Sequence, residues 1–155
     1  MGYFLVVKYA LPHLRQTKGN IINVSSMDEH HAAGLSVTYD ATKGAVGAMT
    51  KALAIDEAKN DVRVNAISPG SIMTPLAEDF INKTSNPEAT RQMFRNKSLL
   101  GKQGTPEECG KTCLYLAADA TFCTGINIQV SGGSALNFGC KNMHSTDVWP
   151  MMFMK

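Results

Sequence analysis

A hydroxyl, a phenol and an amine lie close together in the sequence between residues 26 and 43. Tyr39 and Lys43 are four residues apart, so on a helix they share one face and the ammonium lies beside the phenol. A nearby positive charge favours the ionised phenolate, which can act as a general acid or base on the oxygen of an alcohol or ketone. The hydroxyl of Ser26 could bind the same oxygen. The Tyr-x-x-x-Lys pair alone is weak evidence, because exposed helices often carry an aromatic residue and a lysine at this spacing.

Two predicted elements would position these side chains. Residues 20–25 are rich in β-branched side chains and follow Gly19, which predicts a buried strand that ends at two serines. Open α/β sheets bind ligands at the carboxyl ends of their strands, where both hydroxyls would lie. From Tyr39 onward, apolar residues recur at helical spacing and predict a helix over residues 39–59. Its many alanines and glycines permit close packing, either within one subunit or against a second subunit.

The rest of the chain alternates between helical and strand patterns, as is typical of an α/β fold. Helical spacing occurs in residues 2–14 and in two amphipathic pieces within residues 76–102. Thr105 and Pro106 predict the start of a further helix, with threonine as the cap and proline in the first turn. Strands are predicted over residues 62–68 and 126–130, and the first of these ends at the turn Pro69-Gly70. The mixed polarity of residues 27–38 predicts a loop.

The composition is that of one globular domain, with 155 residues of which 44% are hydrophobic and 18% charged. A net charge of +2 gives no reason to expect a nucleic-acid partner. No apolar run reaches the roughly 18 residues of a membrane span, and the first ten residues lack a signal-peptide pattern, so we expect a cytoplasmic location. The four cysteines form no C-x-x-C pair and are expected to be reduced core residues.

Four potential metal ligands are adjacent in the sequence, at residues 28–31. Neighbouring side chains diverge in an extended chain, and His13 and His144 are too distant to complete a metal-binding motif. We therefore predict no metal site, and we interpret these residues as part of a solvated or substrate-facing loop.

Four short motifs resemble those of the short-chain dehydrogenase/reductase family, in its order and at its spacing: Asn23-Val24-Ser25-Ser26, Tyr39-x-x-x-Lys43, Arg63-Val64-Asn65 and Pro69-Gly70. The resemblance implies an α/β fold that is a partial Rossmann-type doubly wound parallel sheet, made of its last three strands with flanking helices. Residues 1–155 would form a single incomplete domain, because the sequence contains no G-x-G-x-x-G turn and the family's catalytic asparagine would lie two positions before Met1. We expect Met1 to be an internal residue of a longer parent or an alternative start.

The same resemblance implies the roles of the candidate site residues. Tyr39 would take the proton of the substrate hydroxyl, Lys43 would favour the phenolate and bind the nicotinamide ribose, and Ser26 would orient the substrate oxygen. The expected cofactor is NAD. The expected cofactor-binding residues are Tyr39, Lys43, Pro69, Gly70, Ile72 and Thr74.

The implied function is oxidation of a secondary alcohol to a ketone. A 17-beta-hydroxysteroid such as estradiol is the expected substrate, because the resemblance is strongest to the hydroxysteroid dehydrogenases of the family. The alternatives are a sugar such as L-fucose, a retinoid or acyl ketone, or no catalysis at all, in which case the chain would only bind partner subunits. The expected partner is a second copy of the chain, in a dimer or tetramer formed through the helices at residues 2–14 and 39–59. By family habit, residues 75–102 would be a substrate lid, and residues 140–155 a C-terminal tail that either docks on a neighbouring subunit or frays.

Overall fold

The computed structural model describes residues 2–136, which form three β-strands flanked by helices. In chain order these elements are α1 (Gly2–Thr17), β1 (Asn20–Val24), α2 (Asp28–His31), α3 (Val37–Glu57), β2 (Arg63–Pro69), α4 (Pro75–Asn82), α5 (Pro87–Asn96), α6 (Pro106–Leu114) and β3 (Asn127–Val130). A π-helical turn, Tyr115–Asp119, continues α6, and short 3-10 turns follow α3 and β3. The predicted tail at residues 140–155 lies outside the described residues.

The three strands form one parallel sheet in the order β1-β2-β3. Val24 at the end of β1 is in register with Ile67, and Pro69 at the end of β2 is in register with Val130. All three carboxyl ends therefore meet at one edge of the sheet, where the turns that follow β1 and β2 are neighbours. This arrangement confirms the predicted α/β class and the three predicted parallel strands.

Helices cover both faces of the sheet. On one face, Ala54 of α3 packs against Val62 and Val64, with Leu11 and Leu14 of α1 beside them. On the opposite face, Ile67 packs against a second apolar cluster at the end of α6, formed by Leu116 and Ala120. Five of the seven residues of β2 are buried, as expected for the central strand of a sheet that is covered on both faces.

Three of the four cysteines pack around this second cluster as free thiols. Burial raises the pKa of the Cys109 and Cys113 thiols, so both stay protonated near neutral pH. Their position supports the prediction that the cysteines are reduced core residues, while Cys140 lies outside the described residues.

Three helices begin with a capping side chain followed by proline. Thr74 caps α4 and Asn86 caps α5 through hydrogen bonds to backbone N–H groups three residues on. At α6, the Thr105 hydroxyl accepts from Glu108 N while the Glu108 carboxylate accepts from Thr105 N, which completes a capping box. The helix start predicted at Thr105 and the two predicted pieces within residues 76–102 are both confirmed.

The structure adds one helix to the predicted elements and corrects the bounds of two others. Residues 27–38 are not a continuous loop, because they contain α2 and the first residues of α3, which starts at Val37. Asp28 and Glu29 lie in the first turn of α2, where negative charge favours a helix. The first helix does not end at Leu14, the last residue of the predicted pattern, but continues to Thr17, since packing of Leu11 and Leu14 on the core outweighs the one backbone hydrogen bond that Pro12 removes.

The outer side of α1 carries several exposed apolar side chains, which are Phe4, Leu5, Val6 and Tyr9. Strand β1, which α1 precedes, lies at the edge of the sheet and pairs only with β2 within residues 2–136. Within the same residues, no helix is both long and apolar enough to cross a membrane.

Candidate active site

The ends of β1 and β2 and the start of α3 border a cleft of about 430 Å³. Four of the residues predicted from the sequence line it, namely Ser26, Tyr39, Pro69 and Gly70. Ser26 is nearly buried, whereas the Tyr39 side chain is 46% exposed, so the phenol is accessible to a molecule that enters from solvent. The structure thus brings the predicted hydroxyl and the predicted phenol to one cavity.

The ammonium of Lys43 lies one helical turn further along α3. Its Nζ is 5.7 Å from the centroid of the Tyr39 ring, within the range over which a cation is attracted to an aromatic face. It also donates a hydrogen bond to Val24 O at 2.9 Å. The amine is therefore fixed between the end of β1 and the phenol, which is the neighbourhood that the four-residue spacing predicts.

The two serines after β1 have different partners. The Ser25 hydroxyl donates to Lys43 O at 3.1 Å and so ties the end of β1 to α3. The Ser26 hydroxyl accepts from Asp28 N at 3.1 Å, at the start of α2. A hydroxyl that accepts one bond keeps its own O–H to donate. Ser26 can therefore donate to an oxygen atom in the cleft, while Ser25 holds the two elements of the site together.

The segment after β2 contains the other predicted cofactor-binding residues. Gly70 approaches β3 so closely that a Cβ in its place would lie 2.9 Å from the Cβ of Ser131, which only glycine avoids. Ile72 is paired with Gly104 in a single parallel β-bridge. The two hydrogen bonds of this bridge are made by the residues on either side of Ile72: Ser71 O accepts from Gly104 N, and Met73 N donates to Gly104 O. In this pattern the N–H and C=O of Ile72 itself face away from Gly104. A carboxamide needs one donor and one acceptor, and this backbone presents both.

Ile72 and Thr74 do not line the cleft that holds Ser26 and Tyr39. Ile72 borders a neighbouring cavity of about 340 Å³, on the side of α6. The Thr74 oxygen accepts from Ala77 N at 3.1 Å as the cap of α4, which leaves its O–H to donate elsewhere. The six predicted cofactor residues are thus distributed along one path from α3, over the end of β2, to the start of α4.

Four further side chains complete the wall of the cleft. Asp28 and His31 of α2 line one side, and Phe94 and Lys97 at the end of α5 line another. The sequence predicts a solvated or substrate-facing loop at residues 28–31 and a substrate lid at residues 75–102, but it assigns no role to any of these four side chains. Within residues 2–136, no group of three His, Cys, Asp or Glu side chains is arranged to hold a metal ion.

A long-range contact holds α2 at the cleft. The Glu29 carboxylate accepts from the side-chain amide of Asn127 on β3 at 2.8 Å. It lies so close to Gly47 of α3 that a Cβ on Gly47 would overlap it. Met27 N also donates to Pro69 O at 3.0 Å. Asp28 and His31 are the first and last residues of α2, so their placement in the cleft depends on these contacts of Glu29 with α3 and β3.

The Arg63-Val64-Asn65 motif has a structural role in this chain. The Arg63 guanidinium donates to Leu116 O at 2.8 Å and to Ala120 O at 3.1 Å, at the carboxyl end of α6 and its π-helical turn. The Asn65 side chain donates to Cys123 O and accepts from Ile126 N, just before β3. These bonds, made from the amino-terminal half of β2, fasten α6 and β3 to the central strand, whose other end carries the site.

Open parallel sheets with helices on both faces bind nucleotide cofactors at the carboxyl ends of their strands, which is where the hydroxyl, the phenol and the ammonium lie in this chain. Residues 1–135 match the family model described as Enoyl-(Acyl carrier protein) reductase. The chain belongs to this family of short-chain dehydrogenases/reductases.

The named relatives are dehydrogenases and reductases. The rat protein named L-fucose dehydrogenase, from Rattus norvegicus, is 49% identical over 146 residues, which cover 94% of this chain and 54% of the relative. The solved structure of ElxO with NADP bound matches 88% of this chain and 54% of its own, at 30% identity and a TM-score of 0.80. The structure of 3-ketoacyl-(acyl-carrier-protein) reductase from Brucella melitensis, complexed with NADH, matches 87% of this chain and 54% of its own chain, at 29% identity and a TM-score of 0.76.

This chain spans about half the length of the curated relatives that it matches. Its sequence motifs predict a resemblance to 17-beta-hydroxysteroid dehydrogenase type 14 and hence a steroid substrate. The similar relatives instead carry the name L-fucose dehydrogenase, so the comparison favours the sugar alternative over the steroid.

Proposed function

We propose that this protein oxidises a secondary hydroxyl group of a small sugar, such as L-fucose, to a ketone or lactone with NAD as the hydride acceptor. The observation that carries the proposal is the shared cleft: the Tyr39 phenol and the Ser26 hydroxyl line the same cavity, with the Lys43 ammonium 5.7 Å from the Tyr39 ring. The name of the rat relative supports the sugar, and structural relatives bound to NADP and NADH support a nicotinamide cofactor.

The proposed chemistry assigns one task to each residue. Ser26 donates its O–H to the substrate oxygen and orients it. Tyr39, as phenolate, takes the hydroxyl proton while the carbon loses hydride, and Lys43 stabilises the phenolate. When bound, the nicotinamide supplies the hydride acceptor. Pro69 and Gly70 would form the wall against its ring.

The remaining cofactor contacts belong to the same proposal. The ribose would be bound by Tyr39 and Lys43, and the carboxamide by the backbone of Ile72 and the hydroxyl of Thr74. We retain two further expectations as parts of the proposal. Residues 75–102 act as a substrate lid, and the protein functions in the cytoplasm as a homo-oligomer formed through α1 and α3.

The polarity of the cleft wall supports a sugar over a steroid. Asp28, His31 and Lys97 place charged or hydrogen-bonding groups around the cavity, next to the apolar ring of Phe94. A sugar offers several hydroxyls to the side chains of Asp28 and His31, whereas the largely apolar surface of a steroid offers them few hydrogen-bond partners, at a cost in binding free energy.

A substrate panel tests the proposal. L-fucose and estradiol are each offered with NAD and with NADP, and formation of the reduced cofactor is measured. We expect turnover of L-fucose with NAD and a kcat/KM at least about tenfold lower for estradiol. Preference for estradiol would refute the sugar assignment. Absence of cofactor binding and turnover would instead support the alternative that the chain only binds partner subunits.

A pair of neighbouring histidines provides a matched test of the cleft wall. Both histidines are exposed, but only His31 lines the cleft. Loss of one hydrogen bond to a sugar hydroxyl corresponds to about 1 kcal/mol, so His31→Ala should raise the KM for L-fucose about fivefold. His30→Ala should leave this KM unchanged. Equal effects of the two substitutions would contradict the assignment of α2 to the substrate wall.

A further inference from the structure

Three groups surround the ammonium of Lys43, and one of them comes from α1. Besides Tyr39 and Val24 O, the ring of Tyr3 lies with its centroid 5.8 Å from Lys43 Nζ. This distance is nearly the same as the 5.7 Å to the Tyr39 ring. Lys43 therefore lies within cation–π range of two tyrosines from different helices.

Tyr3 and Lys43 also share one hydrogen-bond acceptor. The Tyr3 hydroxyl donates to Val24 O at 2.7 Å, and Lys43 Nζ donates to the same oxygen at 2.9 Å. A carbonyl oxygen has two lone pairs and can accept both bonds. The next residue, Ser25, uses its N–H to pair with β2, so the Val24 carbonyl faces the other side, where these two side chains reach it.

From this arrangement we infer that Tyr3 is a positioning residue of the site, which holds the Lys43 ammonium beside Tyr39. Its ring attracts the cation electrostatically, and its hydroxyl orients the carbonyl that binds the cation. The inference rests on the proposed function, because Lys43 is assigned there to the phenolate and to the cofactor ribose. It extends the site to α1, a helix to which the sequence analysis assigns no part in catalysis.

The simpler explanation is that Tyr3 only docks α1 onto β1. A docking residue affects the fraction of folded protein and its melting temperature. A positioning residue, in contrast, affects the contacts that Lys43 makes, and so the KM for the cofactor of the protein that remains folded. Tyr9 offers a matched control, since it lies on the same helix with Lys8 Nζ 5.9 Å from its ring, but has no contact with Lys43.

The test compares Tyr3→Leu, Tyr3→Phe and Tyr9→Leu in the full chain. Steady-state alcohol oxidation should show a rise of about two- to fivefold in the KM for the cofactor with Tyr3→Leu, the range expected for the loss of an exposed cation–π contact. Tyr3→Phe retains the ring and should stay within about twofold of the unsubstituted protein. Tyr9→Leu should leave the KM for the cofactor unchanged.

A second readout does not depend on turnover. In spectra of the chain labelled with 13C-lysine, the side-chain signals of Lys43 should shift with Tyr3→Leu, because the ring current of Tyr3 is lost, and should not shift with Tyr9→Leu. Unchanged Lys43 signals with Tyr3→Leu would overturn the inference, as would equal effects of Tyr3→Leu and Tyr9→Leu on the KM for the cofactor. If no form oxidises an alcohol, the proposed function fails, while the lysine spectra still decide whether Tyr3 holds Lys43.

Discussion

The ion pair between Arg15 and Glu57 joins the end of α1 to the end of α3, and its removal is a sharp test of the structure. Arg15 donates twice to the carboxylate, from Nε at 2.8 Å and from the terminal nitrogen at 2.5 Å. Asn60 adds a third bond at 2.8 Å. The Glu57 side chain is only 4% exposed, whereas that of Arg15 is 45% exposed. One buried carboxylate thus depends on a partner that is half in solvent.

The expected magnitude follows from these exposures. Removing one partner of a buried ion pair costs about 3–5 kcal/mol, because the other charge stays buried without compensation. Solvent around the guanidinium screens part of the interaction, so we expect Arg15→Met to lower the free energy of unfolding by about 2 kcal/mol. Lys18→Met is the matched control. It breaks the exposed pair of Lys18 with Asp61, and we expect a much smaller loss, because solvent screens both charges.

The same pair predicts a pH dependence. The hydrogen bonds from Arg15 lower the pKa of the Glu57 carboxyl from 4.5 to about 2. A carboxyl whose pKa is lower in the folded state stabilises the protein above its unfolded pKa, and this stabilisation is lost as the pH falls from 4.5 toward 2. Arg15→Met should therefore have a large effect at pH 7 and a much smaller one near pH 2.

Urea unfolding followed by circular dichroism at neutral and acidic pH measures both effects. If Arg15→Met abolishes folding, Arg15→Lys is used instead. It keeps the charge but cannot donate the same pair of hydrogen bonds, so it should give an intermediate loss of stability. The double variant Arg15→Met with Glu57→Gln should recover stability, because no charge is then buried. Equal and small losses for Arg15→Met and Lys18→Met would refute the reasoning.

Two further predictions concern α3 and α6. Gly47→Ala should displace the Glu29 carboxylate from its partner on β3 and lower the free energy of unfolding by about 1 kcal/mol. Gly44→Ala, whose added Cβ would meet no atom within 4 Å, should instead stabilise the same helix by about 0.5–1 kcal/mol. Thermal unfolding of both variants measures the difference, and equal effects would contradict the contact between Gly47 and Glu29. Thr105→Ala removes the side-chain cap that pairs with Glu108 and should lower the free energy of unfolding by about 1 kcal/mol, and an unchanged urea midpoint would be inconsistent with the capping box.

The strands and the helix starts could be predicted because local chemistry determines them. Apolar β-branched runs mark β1 and β2, and Thr105 followed by Pro106 marks the start of α6. The continuation of α1 from Leu14 to Thr17 could not be predicted, since it depends on packing against the core. The helical turn at residues 28–31 is a similar case, because its anchor is a hydrogen bond that Glu29 accepts from a residue 98 positions later.

The residues of the candidate site likewise fall into those that could be predicted from the sequence and those that depend on tertiary packing. Ser26, Tyr39, Pro69 and Gly70 could be predicted to lie together, because each stands at the end of a predicted strand or the start of a predicted helix at the same sheet edge. The sequence predicts a solvated or substrate-facing segment at residues 28–31 and a lid at residues 75–102, but not the individual side chains of the cleft wall. Asp28, His31 and Lys97 reach the cleft only through the packing of α2 and α5. Tyr3 gives no sequence signal at all, and its place beside Lys43 follows from how α1 lies along β1.

The central claim is that Tyr39 transfers the proton of the alcohol, and a comparison of two tyrosines tests it most directly. Formation of the reduced cofactor from L-fucose and NAD is measured for the unsubstituted chain, Tyr39→Phe and Tyr9→Phe. A general acid or base contributes about 10²–10⁴-fold to the rate, so kcat with Tyr39→Phe should fall at least about 100-fold, with Tyr9→Phe unaffected. Turnover that persists at a similar rate in Tyr39→Phe would contradict the account.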